Sequence, residues 1–310
     1  MLTILIMLKT YKIISGSVVE TADESSEVLI YVNPTMEERD LLIGKLNIDS
    51  HTLQSALDPD EQSRLEFEPD HAAIIIKRPQ NYSGGDQFLF KVFSMGIFWY
   101  SERVIIVLFE EMKLFDGKLF LKIQSVKDLV LRLILRTIYH YIDHLKVINM
   151  ISDSLEQKIN TSMKNKYLIN LFTLEKSLVY YLNAINTNAS VIERLRNNRD
   201  RLGLTADHLE MLDDILIENN QCHKLAEIYS NILAGLMDAR VSIVSNNLNI
   251  LMKTLNLVTI GIMVPTLVVS AFSMNVSIPM QHNPLAFWII MGLAVFSVIV
   301  FMLFWKFKKW

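Results

Sequence analysis

The last 72 residues of this 310-residue chain contain no aspartate or glutamate. All 33 acidic residues lie at or before Asp238, so the first 238 residues carry a net charge of −8, whereas five basic residues give the remainder a charge of +5. Because the large polar part is acidic, the composition argues against a protein that binds nucleic acid.

Cysteine is almost absent, and glycine forms no phosphate-binding motif. Cys222 is the single cysteine, which excludes an intramolecular disulfide framework and a cysteine-rich zinc site and fits a reducing compartment. The ten glycines form no GxGxxG or GxxxxGK(S/T) loop, and there is no GxSxG nucleophile elbow. We therefore expect no enzyme activity, no cofactor and no nucleotide partner.

Long hydrophobic runs are present, since 51% of the residues are hydrophobic and the mean hydropathy is +0.28. Two segments, Thr254–Met274 and Leu285–Trp305, are long enough to cross a hydrocarbon layer of about 30 Å as helices. The basic tail, residues 306–310, is expected in the cytoplasm by the positive-inside rule. Two spans then place both termini in the cytoplasm and residues 275–284 outside, as in a multi-pass protein of the inner or plasma membrane.

Residues 1–124 alternate between strand-like and helix-like runs, which predicts a cytoplasmic α/β domain. Residues 1–14 are expected to form a strand, because their lysines follow the apolar run, the wrong order for a secretory signal. Residues 81–86 predict a hairpin turn, and Pro34 is expected in the first turn of a helix. Four further strand-like runs are rich in β-branched and aromatic residues: Val28–Val32, Ala72–Lys77, Phe88–Trp99 and Val104–Phe109.

Helical periodicity replaces the strand-like runs from Ser125 onward. Residues 125–203 predict two long helices with a break near Lys164–Lys166. Thr205 is a candidate N-cap, with Asp207 in the first turn. Since no proline occurs again before Pro265, residues 206–274 predict one helix about 100 Å long. Within the region 204–274, this stalk helix would continue as the first transmembrane helix, and residues 285–305 would form the second.

One face of the stalk helix is polar where an apolar face is usual. We name as the seam eight residues spaced alternately by three and four: Asn249, Met252, Asn256, Thr259, Met263, Thr266, Ser270 and Ser273. Coiled-coil seams are normally aliphatic, and lipid cannot satisfy hydroxyls or amides. We interpret the seam as the lining of a narrow pore formed by several copies of the helix, with Met252 and Met263 as constrictions. Close packing of two transmembrane helices is the alternative interpretation.

Two stretches resemble the CorA family of divalent-cation channels. Residues 246–275, NNLNILMKTLNLVTIGIMVPTLVVSAFSMN, resemble the pore helix of that family and its closing Tyr-Gly-Met-Asn signature. Residues 32–76 more weakly resemble the start of its cytoplasmic domain, and the layout is similar over the whole chain. The resemblance implies a funnel-shaped homopentamer in which the first span of each subunit lines the pore. It also implies that a divalent cation such as Mg²⁺ is transported, driven by its gradient and the membrane potential.

The resemblance also implies roles for individual residues. Asn275 would offer a ring of amide oxygens to the hydrated ion at the outer mouth, beside Met274 and Ser273. Asp238 corresponds to an acidic ring in the cytoplasmic stretch. The remaining residues that match pore-lining or constricting positions are Asn249, Met252, Leu255, Met263 and Thr266, of which only Leu255 lies one residue off the seam.

This chain departs from the family pattern in three places. Ser273 replaces the signature glycine, and Phe272 replaces the tyrosine before it. The outer loop carries no acid, which weakens the concentration of cations at the mouth. Gln54 and Ser55 occupy the place of an acidic pair that binds regulatory Mg²⁺ in the family, although Asp214 still matches the partner acid. A regulatory cation site at Asp213 and Asp214 is therefore expected to be weakened.

Several histidine and acidic residues allow two interpretations. His140 and His144 could share a helix face and hold a metal, but a packing role is favoured because no third ligand is evident. His282 could contact a cation or be an ordinary loop residue. The acidic cluster on the long helix could be a solvated face or a regulatory site: Asp207, Glu210, Asp213 and Asp214.

The sequence thus predicts a CorA-like channel for passive Mg²⁺ uptake, with itself, the lipid membrane and divalent cations as partners. A transporter of Zn²⁺, Co²⁺ or Ni²⁺ from the same family is the nearest alternative. A membrane-anchored scaffold or sensor that does not conduct ions is the alternative from another class.

Overall fold

The computed structural model describes residues 8–23, 25–83, 88–161, 165–276 and 282–308. The chain divides into two compact units, Met1–Met237 and Asp238–Trp310. Helix α6, Ala206–Phe272, contributes its first part to the first unit and its remainder to the second.

The first unit is built on a seven-stranded sheet with the order β2-β1-β3-β7-β6-β5-β4. Neighbouring strands are antiparallel except β3 and β7, which pair in parallel with Ile30 opposite Ile106. The strands are β1 Leu8–Ile14, β2 Ser17–Thr21, β3 Val28–Val32, β4 Arg64–Phe67, β5 His71–Pro79, β6 Val92–Tyr100 and β7 Val104–Leu108.

Both faces of the sheet are covered, so β5 and β7 are buried at every position instead of at every second one. Ile74 and Ile106 point toward the larger core, where they meet the long helices. Ile75 and Phe98 point toward the smaller core, which helices α1, Met36–Leu46, and α2, Ser50–Leu57, close from the other side.

Local capping explains where the short helices begin. Thr35 is the N-cap of α1, and its hydroxyl and the Glu38 carboxylate form a reciprocal capping box. Pro34 therefore precedes the N-cap and does not lie in the first turn, contrary to the sequence-based expectation. Asp49 caps α2, accepting a hydrogen bond from the Thr52 amide at 2.9 Å.

The long helices begin at α3, Val126–Thr161, and continue with α4, Asn165–Asn197. The predicted break falls in part on Lys164, which lies outside the described residues. After a short helix α5, Arg199–Leu202, Gly203 adopts a left-handed φ of 60°. The His208 amide then donates to the Thr205 hydroxyl at 3.4 Å as α6 begins, and Asp207 lies in the first turn as predicted.

The predicted strands are observed with shifted ends. The strand expected from Phe88 begins only at Val92, because Phe88 has a left-handed φ of 67° that a strand cannot accommodate. Residues 84–86 of the predicted hairpin turn and residues 1–7 of the predicted first strand lie outside the described residues. Strands β2 and β4 and helix α2 were not anticipated.

The second unit contains the remainder of α6 and helix α7, Ala286–Lys308. By length and composition alone, α6 and the segment Ala286–Phe307 could each cross a membrane. Helix α6 ends at Phe272, two residues before the predicted end, so Ser273, Met274 and Asn275 lie beyond the helix.

Candidate functional site

The seam from Asn249 to Met263 lies on a side of α6 that is exposed in the described part of the second unit. Its side chains are exposed throughout, with Met252 61% and Met263 63% exposed. Leu255, one position away, is 62% exposed. In a membrane this face would need protein or water beside it, because hydroxyls and amides are not satisfied by lipid.

Helix α7 packs against another side of α6. The less exposed positions of α6 follow their own spacing of three and four, and Gly261 comes close to the ring of Phe301 on α7. With about 100° of rotation per residue, this α7-facing side lies roughly opposite the seam. The half-buried residues that define this α7-facing side are Leu257, Gly261, Val264, Pro265, Val268 and Phe272.

The outer end of the seam winds toward α7. Thr266, Ser270 and Ser273 line a groove of about 730 Å³ between the two helices, together with Pro265 and Ala294. A strict heptad repeat drifts by about 20° per heptad on a straight helix, which explains why only the outer seam residues reach this groove.

The seam hydroxyls present oxygen lone pairs outward. Thr259 donates its hydroxyl proton to the Leu255 carbonyl at 2.9 Å, and Thr266 donates to Ile262 at 2.6 Å. Because each proton is already engaged by the helix backbone, each oxygen remains an acceptor. The water molecules around a cation direct their hydrogens outward, so a wall of acceptors suits a hydrated cation.

The end of α6 accommodates serine without backbone strain. The Ser273 amide and hydroxyl both donate to the Ser270 carbonyl, at 3.1 and 3.0 Å. Among the described residues with positive φ, Ser273 does not appear, so a side chain costs nothing at this position. Met274 and Asn275 are exposed beyond it. Residues 277–281 of the predicted outer loop lie outside the described residues.

Comparison with known proteins identifies the family. A sequence model of the family described as CorA-like Mg²⁺ transporter protein matches residues 29–309. The chain belongs to the CorA family. It is therefore a divalent-cation transporter of the membrane and not an enzyme, as the resemblance implied.

Relatives extend the likeness over the whole chain. This CorA-family chain is 26% identical to the cobalt/magnesium transport protein CorA of Methanocaldococcus jannaschii, with both proteins covered completely. The complete structure of the CorA magnesium transporter from that organism superimposes with a TM-score of 0.81 at 21% identity, covering 99% of this chain and 98% of the other. The full-length CmaX protein superimposes with a TM-score of 0.59 at 15% identity, covering 98% and 97%. The predicted fold class is thereby confirmed, with an α/β domain, long helices and two C-terminal apolar helices.

The acidic residues singled out in the sequence are not gathered into one site by the fold. Asp213 already forms an ion pair with the Nε atom of Arg196 at 2.7 Å. Asp214 is exposed, and its charge adds to burial and to Glu218 in raising the pKa of Tyr139. Asp238 is exposed on the second unit.

The position of the family's acidic pair is filled by a network centred on Arg64. Ser55 is buried, donates to the His51 carbonyl at 2.9 Å and accepts from Arg64 at 3.0 Å. The same guanidinium binds Glu61 at 2.5 Å and Glu66 at 2.8 Å, whereas Gln54 is exposed. The nearby carboxylates are therefore neutralised within the chain, which the sequence did not reveal because these contacts are set by tertiary packing.

The remaining candidate residues have structural surroundings. His144 contacts the Tyr181 hydroxyl at 2.7 Å, and the rings of His140 and His144 lie 4.4 Å apart. Cys222 belongs to the larger core, where burial raises the pKa of its thiol to about 12. His282 is exposed. Among the described residues, no three histidine, cysteine or acidic side chains converge in a way that could hold a metal ion.

The sequence reading missed the α7-facing side of α6. Its signal was present in the same spacing of three and four, with Gly261 at the point where Phe301 approaches. Together the two sides give α6 one face for α7 and another for the seam.

Proposed function

We propose that this CorA-family transporter is a homopentameric channel that admits Mg²⁺ into the cytoplasm. The observation that carries the proposal is the uncharged seam on α6, whose part from Asn249 to Met263 lies away from α7. Five copies that bury this face together would enclose a polar lumen, while α7 of each copy would surround it.

The chemistry of the seam suits a strongly hydrated ion. Mg²⁺ releases its water reluctantly, so neutral oxygens that accept hydrogen bonds can contact its hydration shell instead of the bare ion. Thr259 and Thr266 have the required orientation, and Asn249 and Asn256 add amide oxygens. None of the eight seam residues carries a charge, so the seam itself would not trap the ion.

The driving force would be the gradient and the membrane potential. A divalent cation gains about 4.6 kcal/mol for each 100 mV it crosses toward the negative side. The ten glycines form no nucleotide-binding loop, so no coupled hydrolysis is invoked. In this proposal both termini are cytoplasmic, residues 1–124 and 125–203 form the cytoplasmic part, and residues 204–274 and 285–305 include the spans.

The outer mouth would be formed by Ser273, Met274 and Asn275, joined by residues 275–284 to the second span. Asn275 would offer five amide oxygens to the hydrated ion. Because the loop has no acidic residue, attraction of cations to the mouth would be weaker than in a channel with an acidic outer ring.

Regulation by cytoplasmic Mg²⁺ would be weak. Arg196 neutralises Asp213, and Arg64 neutralises Glu61 and Glu66. Among the described residues, Asp214 is then the acid of the candidate regulatory site that forms no ion pair. Asp238 would instead form an acidic ring that attracts cations leaving the pore.

Flux into liposomes tests the proposal directly. We expect the full-length protein to carry Mg²⁺ inward with a negative internal potential, and Asn275→Ala to reduce that flux at least tenfold. Asn247→Ala is the matched control, because Asn247 lies off the seam. Absence of divalent flux from correctly folded protein would support the non-conducting scaffold or sensor instead.

A transporter of Co²⁺, Zn²⁺ or Ni²⁺ is the second candidate, since the signature and loop depart from the magnesium pattern and one relative is named for cobalt as well as magnesium. Competition among these ions in the same liposomes separates the two. We expect Mg²⁺ flux to persist at equal concentrations of each competitor; a flux of one of the other ions that exceeds it would favour the second candidate.

A further inference from the structure

A cavity of about 800 Å³ opens in the first unit beside strands β1 to β3 and helix α3. Tyr11, Ile30 and Val32 from the strands give it an apolar wall, and Phe115 extends this wall from the loop after β7. The rings of Tyr11 and Phe115 meet edge to face, 5.1 Å apart. This volume is within the range of small-molecule sites in proteins.

The other side of the cavity carries Arg136 and His140, which lie one turn apart on α3 and are both half-buried. None of the described residues gives Arg136 a carboxylate partner. A bound anion would give this half-buried arginine the counter-charge that the described residues do not provide.

A second arginine adds positive charge near the same place. Arg78 is only 1% exposed, and its Nε and one terminal nitrogen have no hydrogen-bond partner in the described part of the chain. Its nearest carboxylate, Glu110, is 3.8 Å away and also accepts a hydrogen bond from Gln80. Burial, His144, Arg136 and Arg78 together lower the pKa of His140 to about 3, so the ring is neutral at pH 7 and keeps one N–H donor.

The rim of the cavity does not cancel this charge. Glu111 is paired with Lys9, and the remaining rim acids, Glu20 and Asp116, are solvent-exposed. Exposed charges are screened by water and salt, and partly buried charges are screened less, which applies to the half-buried residue Arg136. The inner side of the cavity is therefore the more positive one.

We propose that this cavity binds a small oxyanion, a carboxylate or a phosphate. Arg136 would be the main anchor, the N–H of His140 a second donor, and the wall formed by Tyr11, Ile30 and Phe115 would accept an apolar body attached to the anion. This site is separate from the seam, and its test does not depend on ion transport.

Isothermal titration of the full-length protein in lipid nanodiscs tests the proposal, with empty nanodiscs as the blank. The probes are benzoate, its neutral analogue benzamide, and inorganic phosphate. We expect saturable binding of at least one anion and none of benzamide. Benzoate alone would identify an anion with an apolar body, and phosphate alone would identify a free phosphate.

Two variants at Arg136 and one control complete the design. Arg136→Gln should weaken anion binding at least tenfold, while Arg136→Lys, which keeps the charge, should retain most of it. Arg194→Gln is the control, because Arg194 is exposed on α4 and does not line the cavity. The proposal is overturned if neither anion binds saturably, if benzamide binds as well as benzoate, or if Arg136→Gln in folded protein leaves affinity unchanged.

Discussion

The spacing of three and four residues along helix α6 marks a buried apolar face in the first unit and an exposed polar face in the second. In the first unit its residues at spacing three and four are buried in the larger core, among them Leu212, Ile215 and Cys222. In the second unit the seam has the same spacing but is polar and exposed. Heptad spacing therefore places residues on one face of a helix. The chemistry of those side chains then decides whether the face is buried in an apolar core or contacts water.

The largest effect is expected from shortening an apolar residue of the first unit. Ile215→Ala removes a fully buried side chain from the larger core and should lower the free energy of unfolding by about 2–5 kcal/mol. Ile217→Ala on the same helix is the control, since Ile217 is 54% exposed and should change stability by less than about 0.5 kcal/mol.

Urea unfolding followed by the fluorescence of Trp99 measures this difference within the first unit. The other tryptophans, Trp288, Trp305 and Trp310, are replaced by phenylalanine in every variant. Equal losses for Ile215→Ala and Ile217→Ala would show that the first unit does not depend on the buried face of α6.

A smaller loss is expected where the first unit has no room for one methyl group. A Cβ atom on Gly96 would lie 2.5 Å from the Cβ of Ala56, where α2 packs on the sheet. Gly96→Ala should therefore cost about 1–3 kcal/mol. Gly292→Ala on α7 has nothing within 4 Å and should cost nothing measurable.

A double variant identifies the contact responsible. Gly96→Ala combined with Ala56→Gly should lose less stability than the sum of the two single changes, as measured by the same urea unfolding. Strict additivity would mean that the close approach of α2 and β6 does not determine the cost.

The first unit should also lose stability in mild acid. Burial is the main cause that lowers the pKa of His140 to about 3 and of His144 to about 4, from an ordinary value near 6.5. Below pH 6.5 these histidines bind protons in the unfolded chain but stay neutral in the folded chain. Their contribution to the free energy of unfolding is therefore full above pH 6.5 and falls as the pH drops toward 4. The loss should be on the order of 1 kcal/mol for each histidine at one pH unit below 6.5.

Unfolding at pH 7.5 and pH 5.5 tests this expectation. The variant with both His140→Gln and His144→Gln should show a smaller difference between the two pH values than the unchanged chain. An identical pH dependence in both proteins would contradict the assignment of the effect to these histidines.

The smallest effect concerns single hydroxyls of the second unit. Thr259→Val removes one acceptor from the seam and should lower Mg²⁺ flux about fivefold, which corresponds to about 1 kcal/mol in the barrier. Thr254→Val is the matched control, because Thr254 also donates to a backbone carbonyl, of Ile250, but lies off the seam. Equal effects in liposome flux would remove the functional distinction between the two faces.

Much of the fold follows from local patterns. Val28–Val32 was predicted as the structure has it, and α6 differs from its predicted range only by two residues at its end, because β-branched runs and uninterrupted helical spacing are strong local signals. Helix α2 was missed because eight residues contain too few repeats to reveal their period. The turn at Phe88 depends on a left-handed residue that its side chain does not favour.

The candidate site could be predicted only as a set of residues along one helix. Spacing placed the seam on one side of α6, but it could not show that Ser273 avoids positive φ or that hydroxyl protons are engaged by the backbone. The pairing of Asp213 with Arg196 joins two different helices, and such contacts leave no trace in local sequence. The roles of Asn275, Asp238 and the seam residues stay predictions.

The hydroxyls of Thr259 and Thr266 donate their protons to their own helix, so in a lumen lined by the seam they would offer ions only oxygen acceptors. At these two positions chloride would find no hydroxyl hydrogen to bind, whereas the amides of Asn249 and Asn256 earlier in the seam keep N–H donors. The direction of these two hydroxyl dipoles would thus favour cations over anions in a segment that contains no acidic residue.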